Sequence, residues 1–212
     1  AGQKTLTEQS NDRFLLGLGV SHKPLVEGVR GLEYGPPVAT MRKYLENMKS
    51  SPYTASAHEK ESPTVIAALG PKMLELAAEM SEGAHPYFTS PEHTAMARER
   101  LGKDPWLCVE QKVVLEEDAT KAREAARKVA LIYQPLPNYR NNWKRMGLTD
   151  EDIDSLNDKF IDTTFAWGSS SKINERIKEH FDAGADHVCI QPVNPNGDMT
   201  ALHWECLETL SP

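Results

Sequence analysis

Residues 13–22, RFLLGLGVSH, form an apolar run that ends in two glycines, a serine and a histidine. Glycine has no side chain, so its backbone can approach a ring or a substrate closely. The imidazole of His22 titrates near neutral pH and can donate or accept a proton. We therefore predict that Gly19 and Ser21 line a ligand site and that His22 is a catalytic proton donor or acceptor. A loop histidine with no role is the alternative.

A second stretch, residues 67–72 (AALGPK), reads as the end of a strand followed by the start of a helix. The first amides of a helix have no partner inside it, and the helix dipole makes them favourable for anions. The predicted helix starts with a proline, which lacks an amide hydrogen, and a lysine, which adds a positive charge. An ordinary strand-to-helix turn, with the glycine serving only the backbone geometry, is the alternative. The candidate binding residues are Ala68, Leu69, Gly70, Pro71 and Lys72.

A third candidate is the short strand predicted at residues 83–88, GAHPYF. Side chains alternate along a strand, so His85 and Tyr87 are expected on one face. An imidazole and a phenol at a strand end suit contact with a ligand. The alternative interpretation of Tyr87 is an aromatic cap over the core.

Charged residues also interrupt the longest apolar strand, residues 106–115, WLCVEQKVVL. Glu110 and Lys112 are two residues apart and share one face. Charges are costly to bury unless they are paired, so a mutual contact is one interpretation and a catalytic carboxylate at Glu110 is the other. Arg140 lies in the segment 134–150, which is rich in aromatic residues and asparagine. Part of a lid, in which Arg140 pairs with an acidic group, is one interpretation, and a solvated loop or a subunit contact is the other.

The elements that must position these residues alternate between strand and helix. Apolar runs with little alternation are typical of buried parallel strands, and strand–helix repetition predicts an α/β fold, either a doubly wound sheet or a (β/α) barrel. The GxG of residues 17–19 lacks the third glycine of a dinucleotide-binding loop, which disfavours the doubly wound sheet. The predicted strands are 13–20, 63–70, 83–88, 106–115 and 186–193, the predicted helices are 36–50, 71–80, 90–102, 118–133 and 170–184, and a polar linker is predicted at 50–62.

The net charge of −7 over 212 residues disfavours binding to nucleic acids or anionic membranes, because both would be repelled. No apolar stretch approaches the ~20 residues that span a bilayer, and residues 1–10 lack the apolar core of a signal peptide. Cys108 and Cys189 are predicted to be buried thiols, and neither the cysteines nor the histidines show metal-binding spacing. These observations predict a cytoplasmic protein without a metal.

Four segments, in this order and spacing, resemble the bacterial luciferase-like superfamily, and more narrowly its branch of oxidoreductases that depend on the deazaflavin coenzyme F420. They are RFLLGLGVSHKPLVEG (13–28), PTVIAALGPKMLELAAEMSEGAHPYFTSPEHT (63–94), LPNYRNNWKRMGL (136–148) and HFDAGADHVCIQPV (180–193). The resemblance implies an α/β fold of the (β/α)8 TIM-barrel type, as a single domain over 1–212, with ligand bound at the C-terminal strand ends.

The resemblance also implies an activity, namely hydride transfer between coenzyme F420 and an unknown small organic substrate, in a homodimer. A monooxygenase that uses FMN is the alternative within the same family. The cofactor performs the redox step and the protein orients it and moves protons. The implied catalytic residues are His22 and Glu110, and the implied cofactor-binding residues are Gly19, Ser21, Ala68, Leu69, Gly70, Pro71, Lys72, His85, Tyr87 and Arg140.

By the same resemblance, residues 13–20 match the fourth strand of the family and residues 186–193 match the eighth. The chain is therefore expected to supply about five βα units and to lack the first three strands. Five strands cannot close an eight-stranded barrel without exposing two edges. A shortened fragment is the expectation, and coverage of the edges by another chain is the alternative. A truncated, non-catalytic barrel that binds a ligand or a partner subunit is thus the rival to an enzyme.

Overall fold

The computed structural model describes residues 1–54, 60–198 and 200–211, so residues 55–59 of the predicted linker lie outside the described part of the chain. The chain divides into two compact units. Unit 1 comprises Ala1–His85 and Arg100–Trp106, and unit 2 comprises Pro86–Glu99 and Leu107–Pro212.

Unit 1 contains three parallel strands, β1 (Leu16–Leu18), β2 (Thr64–Ala67) and β3 (Gly83–His85). β2 is central, and its Val65 lies beside Gly17 on one side and Gly83 on the other. Glycine is required at position 83, because a Cβ there would lie 2.3 Å from the carbonyl oxygen of Trp106. The helical segments of this unit are α1 (Gly2–Gln9), a π-helical turn (Pro24–Val29), α2 (Pro37–Ser50) and α3 (Pro71–Met80).

Unit 2 contains the strands β4 (Trp106–Leu115, whose first residue belongs to unit 1), β5 (Phe165–Gly168) and β6 (His187–Pro192). β4 is central and parallel to both neighbours; its residues 112–115 pair with β5 and its residues 108–113 pair with β6. The helices that lie wholly or mostly in this unit are α4 (Pro91–Leu101), α5 (Ala119–Tyr133), α6 (Pro137–Arg145), α7 (Asp150–Ser155), α8 (Asp158–Thr164), α9 (Ser170–Asp182) and α10 (Trp204–Leu210).

The two faces of β4 have different surroundings because side chains alternate along a strand. Val113 packs with Ile173 of α9 and Cys206 of α10, so the odd-numbered residues of β4 face the helices. Glu110 and Lys112 therefore lie on the opposite face, together, as their spacing predicts.

Gln111, on the helix-covered face, belongs to a buried polar network. Its Oε1 lies 2.9 Å from Nε2 of His180, and Nδ1 of His180 lies 2.8 Å from the Thr94 hydroxyl. The Gln111 amide nitrogen donates to the Thr164 carbonyl oxygen at 3.2 Å. Both imidazole nitrogens thus have a partner, and these hydrogen bonds offset the cost of burying this histidine fully.

The five predicted strands and the five predicted helices are all present. The structure has one strand more than the five predicted, because β5 lies between α8 and α9. The segment 134–150 is largely helical, since Tyr139, Asn142 and Trp143 bury one side of α6. The prediction that Cys189 is buried is wrong: its side chain is exposed on β6, which pairs with β4 alone among the described strands. None of the described helices is long and apolar enough to cross a membrane.

Candidate functional site

In unit 1, the carboxyl ends of three neighbouring strands lie side by side. Leu18 is in register with Ile66 and Ala67 with His85, so the next residue of the first strand, Gly19, comes beside Ala67. A Cβ added at Gly19 would lie 3.3 Å from the Cβ of Ala67, which leaves little room for a larger residue. Ligands of parallel α/β sheets bind at the carboxyl ends of the strands. A side chain at position 19 would therefore press on Ala67, so glycine lets the two strand ends lie close together.

The loop after β1 holds Ser21 and His22 in a defined turn. Ser21 has a φ of +60°, a conformation that costs free energy for a residue with a side chain. Its carbonyl oxygen accepts a hydrogen bond from the Tyr34 hydroxyl at 3.1 Å. The His22 carbonyl oxygen accepts two backbone amides of the π-helical turn, at 3.0 and 2.9 Å. These contacts fix the backbone of the predicted proton donor next to the end of β1.

The start of α3 offers fewer donors than the sequence predicts. Gly70 has φ −88° and ψ 160°, an extended conformation that any residue adopts, so the interpretation that this glycine serves a special backbone geometry is wrong. Its carbonyl oxygen accepts the amides of Met73 and Leu74, both at 3.1 Å. Pro71 has no amide hydrogen. Among the described residues, the Lys72 amide is consequently the unpartnered donor at this helix start.

Nine of the predicted site residues lie at this edge of unit 1, on or directly after the carboxyl ends of β1, β2 and β3. The other three lie in unit 2. The expectation that His85 and Tyr87 share a strand face is wrong, because β3 ends at His85 and the alternation stops there. The nine residues of unit 1 are Gly19, Ser21, His22, Ala68, Leu69, Gly70, Pro71, Lys72 and His85, and the three of unit 2 are Tyr87, Glu110 and Arg140.

In unit 2, Glu110 and Lys112 form a buried ion pair. The Lys112 ammonium lies 3.1 and 3.2 Å from the two carboxylate oxygens of Glu110, and the lysine is 0% exposed. Its Nζ also lies 3.6 Å from the ring centroid of Tyr87 and 4.1 Å from that of Phe88. Burial lowers the pKa of Lys112 to about 8, and the charge of Glu110 opposes that shift. The mutual contact that the spacing suggested is confirmed.

Glu110 also holds a strained peptide. Phe88 has a φ of +62°, which is rare for an aromatic residue. Its backbone amide donates to Glu110 Oε2 at 2.9 Å, and its carbonyl oxygen accepts the indole N–H of Trp143 at 3.2 Å. Strained backbone of this kind persists only where its surroundings over-determine it. With an ammonium and an amide as partners, the Glu110 carboxylate is engaged in fixing this turn.

The turn presents the Tyr87 hydroxyl to two further polar groups. It lies 2.7 Å from the Tyr133 hydroxyl and donates to Gln191 Oε1 at 2.6 Å. Burial, with the nearby charge of Glu110 adding to it, raises the pKa of Tyr87 far above its usual range, so this phenol stays protonated. The sequence interpretation missed Tyr133, because nothing in the pattern of α5 distinguishes its last residue from a surface tyrosine.

Arg140 is not a free lid residue in the described structure. It lies on α6, and its guanidinium contacts Asp150 at 3.1 Å and Asp154 at 2.8 Å, both on α7. The neighbouring Lys144 contacts Asp150 at 2.7 Å. These ion pairs join the two helices of the segment after α5.

A cavity of about 420 Å³ in unit 2 contains none of the predicted site residues. Its cations already have partners: the Arg123 guanidinium contacts Asp162 at 2.6 Å, and the Lys172 ammonium lies 3.6 Å from the ring centroid of Trp167. Opposite charges compensate each other along its wall, which gives no preference for either sign of ligand. The lining residues are Arg123, Asp162, Phe165, Ala166, Trp167, Lys172, Glu175, Arg176 and Glu179.

Parallel strands alternate with helices along the chain, and the carboxyl ends of β1, β2 and β3 lie side by side. The model of the luciferase-like monooxygenase family matches residues 4–187. The chain belongs to this family. The α/β fold of the luciferase-like barrel type that the sequence resemblance implies is thereby confirmed, and likenesses to solved structures support it.

Two relatives match most of the chain. A protein of Mycobacterium tuberculosis with the provisional name coenzyme F420-dependent oxidoreductase is 24% identical, over 88% of this chain and 72% of its own length. The 5,10-methylenetetrahydromethanopterin reductase of Archaeoglobus fulgidus is 26% identical, over 91% of this chain and 71% of its own length. The first of these two relatives is named for its dependence on coenzyme F420.

Three solved structures share the fold. The coenzyme F420-dependent tetrahydromethanopterin reductase of Methanopyrus kandleri has a TM-score of 0.66 at 19% identity, over 92% of this chain and 73% of its own. An F420-dependent secondary alcohol dehydrogenase, solved with an F420–acetone adduct, has a TM-score of 0.65 at 15% identity, over 99% and 73%. The oxygenating constituent of a diketocamphane monooxygenase from Pseudomonas putida, solved with FMN, has 0.64 at 16% identity, over 99% and 72%.

Proposed function

We propose that this member of the luciferase-like family is an oxidoreductase that transfers a hydride between coenzyme F420 and a small organic substrate. The observation that supports it most is the row of Gly19, Ala67 and His85 at adjacent strand ends beside the start of α3. The F420-dependent name of the Mycobacterium tuberculosis relative, which matches 88% of the chain, favours the same cofactor.

The residues of unit 1 fit a flat cofactor with an acidic tail. Position 19 carries no side chain, so a ring can lie against its backbone, and an added Cβ there would press on Ala67. The Lys72 amide and ammonium supply a donor and a positive charge for a phosphate. When bound, the deazaflavin supplies the hydride chemistry, and the protein supplies orientation and proton traffic.

His22 is the proposed proton donor or acceptor of this site. It follows the end of β1, and its backbone is fixed by the π-helical turn. Glu110 enters the proposal through its hold on the Phe88 peptide, because its oxygens are occupied by Lys112 and that amide. The cofactor-binding role of Tyr87 stays a prediction.

A monooxygenase that uses FMN is the second candidate, and the fold likeness to an FMN-bound monooxygenase is the observation that favours it. A chain that binds a ligand or a partner without catalysis is the third. In our proposal the protein acts in the cytoplasm as a homodimer; free thiols at Cys108, Cys189 and Cys206 suit a reducing compartment.

Titration of the purified protein with F420 and, separately, with FMN tests the proposal. Absorbance and fluorescence of the cofactor report binding. We expect F420 to bind at least about tenfold more tightly than FMN, and Lys72→Met to weaken F420 binding by about fivefold, the effect of one exposed ion pair. Lys103→Met, at an exposed lysine of unit 1, is the control.

Tighter binding of FMN would favour the monooxygenase. Absence of binding by either cofactor in a folded sample would favour the non-catalytic chain.

A further inference from the structure

The loop that follows β1 in unit 1 is closed at its base by Tyr34. The Tyr34 hydroxyl donates to the Ser21 carbonyl oxygen at 3.1 Å, so two residues 13 positions apart in the sequence meet where the loop leaves the strand end. Compact surface loops of about 6–16 residues whose ends lie close together are often functional. The proposed function uses Ser21 and His22 of this loop, and it leaves Tyr34 without a role.

Burial contributes little to holding this loop in place. None of residues 23–33 is buried, and Val29 is 76% exposed. Within the loop, the Leu32 amide donates to the Val26 carbonyl oxygen at 3.0 Å. Such a bond shapes the loop internally and does not connect it to the strand end. The hydrogen bond from Tyr34 makes that connection.

Tyr34 holds the peptide group that joins Ser21 to His22, because the Ser21 carbonyl oxygen belongs to that group. The peptide group after His22 is held separately, since its carbonyl oxygen accepts the amides of Leu25 and Val26 at 3.0 and 2.9 Å. Peptide groups are planar, so fixing the planes on both sides of a residue fixes its φ and ψ, and with them the direction of its Cα–Cβ bond. The position of the His22 side chain relative to the end of β1 therefore depends on both contacts.

The contact from Tyr34 also acts against backbone strain. Ser21 has a φ of +60°, which a residue with a side chain adopts only at a cost in free energy. That cost and the net gain from one hydrogen bond are of the same order, so loss of the bond should let Ser21 return to a negative φ. Burial raises the pKa of the Tyr34 hydroxyl, which therefore keeps its hydrogen at neutral pH and remains a donor.

We propose that Tyr34 is a positioning residue of the site in unit 1, whose hydroxyl holds the Ser21–His22 peptide group and thereby places Ser21 for the cofactor and His22 for proton transfer. The inference rests on the proposed function, which gives Ser21 and His22 those roles. A glycine at position 21 adopts a positive φ at no steric cost, so it should make the Tyr34 hydroxyl dispensable.

A double-mutant cycle on F420 binding tests the assignment. We expect Tyr34→Phe to weaken F420 binding by about fivefold, the effect of one neutral hydrogen bond. In the Ser21→Gly background the same substitution should change the affinity by less than about twofold, because glycine keeps the left-handed conformation unaided. In the Ser21→Ala background, which lacks the hydroxyl but keeps a Cβ, the full loss should remain. Tyr44→Phe, at an exposed tyrosine of α2, is the matched control and should bind F420 like the wild type.

NMR of the same samples without cofactor reports the backbone directly. The ¹³Cα shift and the HN–Hα coupling of Ser21 depend on its φ, and we expect both to change in Tyr34→Phe and to stay the same in Tyr44→Phe. The assignment is overturned if Ser21 keeps its left-handed signature in Tyr34→Phe, or if Tyr34→Phe binds F420 like the wild type. It is also overturned if Tyr34→Phe weakens binding equally with serine, alanine and glycine at position 21, which would indicate packing of the ring.

The two measurements separate this inference from the proposed function. If the wild type binds no F420, the proposed function fails, and the Ser21 signature alone decides whether Tyr34 holds the peptide group. If the wild type binds F420 and the cycle shows no coupling between positions 21 and 34, the positioning role of Tyr34 fails alone.

Discussion

The strand ends of unit 1 and the β4 face of unit 2 differ in the groups that they place at a predicted site. In unit 1 the strand ends carry a small side chain or none, with Gly19 beside Ala67, and the backbone amide of Lys72 is a donor. In unit 2 the polar groups are side chains, and the central one, Lys112, is fully buried among aromatic rings and a carboxylate. The strand ends of unit 1 therefore depend on backbone groups, whereas the β4 face of unit 2 depends on side chains that hold one another in place.

The two regions also differ in how a substitution affects binding and folding. A substitution at an exposed strand end of unit 1 changes mainly what can bind there. A substitution in the buried network of unit 2 leaves a charge or a donor without a partner, which destabilises the fold itself. The comparison therefore makes separate predictions about folding and about binding.

Loss of the buried ammonium should have the largest effect. Lys112→Met leaves the Glu110 carboxylate buried without its partner, and we expect it to lower the free energy of unfolding by about 3–5 kcal/mol. Urea denaturation measures the change. Lys172→Met is the matched control: that lysine lies at the same 3.6 Å from an aromatic ring, but it is exposed, and we expect a loss of about 1 kcal/mol or less.

The double variant Glu110→Gln/Lys112→Met removes both charges and should recover most of that loss. Equal destabilisation by Lys112→Met and Lys172→Met would mean that ring contact, and not the buried ion pair, is what matters.

Acid should destabilise the Thr94–His180–Gln111 network. Burial lowers the pKa of His180 to about 4, from 6.5 in an exposed chain. Above pH 6.5 the imidazole is neutral in both states and the network contributes fully. As the pH falls from 6.5 to 4, only the unfolded chain binds the proton, so stability decreases, by about 3 kcal/mol in all.

Urea denaturation of the wild type and of His180→Gln at several pH values between 4 and 7 measures this slope. The slope should be reduced in His180→Gln and retained in His187→Gln, a variant of an exposed histidine. An unchanged slope in His180→Gln would show that other groups, such as the carboxylates, account for acid sensitivity.

A smaller loss of stability is expected from crowding at Gly83 of β3, which lies close to the backbone of Trp106. Gly83→Ala places a Cβ 2.3 Å from the Trp106 carbonyl oxygen and should cost about 2 kcal/mol in a thermal or urea melt. Gly17→Ala, on β1, has no atom within 4 Å of the added Cβ and should be close to neutral. Similar melts for the two variants would contradict the close approach at Gly83.

Much of the fold follows from the sequence pattern, and the exceptions have physical reasons. The apolar runs and capped helices predict five strands and five helices because each is long enough to show its period. β5 has four residues and follows α8 directly, so no turn residue marks where it begins. α6 could have been predicted, because Tyr139, Asn142 and Trp143 have the i, i+3, i+4 spacing of a buried helix face.

The candidate site is less accessible from the sequence. The pairing of Glu110 with Lys112 follows from the period of a strand. The left-handed backbone of Ser21 and Phe88 does not, because neither residue type favours a positive φ. Tyr133 and Tyr87 are far apart in the sequence, and Arg140 and Asp154 lie on different helices. A local sequence pattern cannot predict such contacts. The single-domain organisation of residues 1–212 stays a prediction.

The central claim is that the deazaflavin binds at the strand ends of unit 1. Titration of isotope-labelled protein with F420, followed by backbone amide NMR, tests it residue by residue. The account predicts the largest shift changes at Gly19, Gly70 and Lys72. Saturable changes confined to Trp167 and Lys172, at the cavity of unit 2, with none at those three amides, would contradict it.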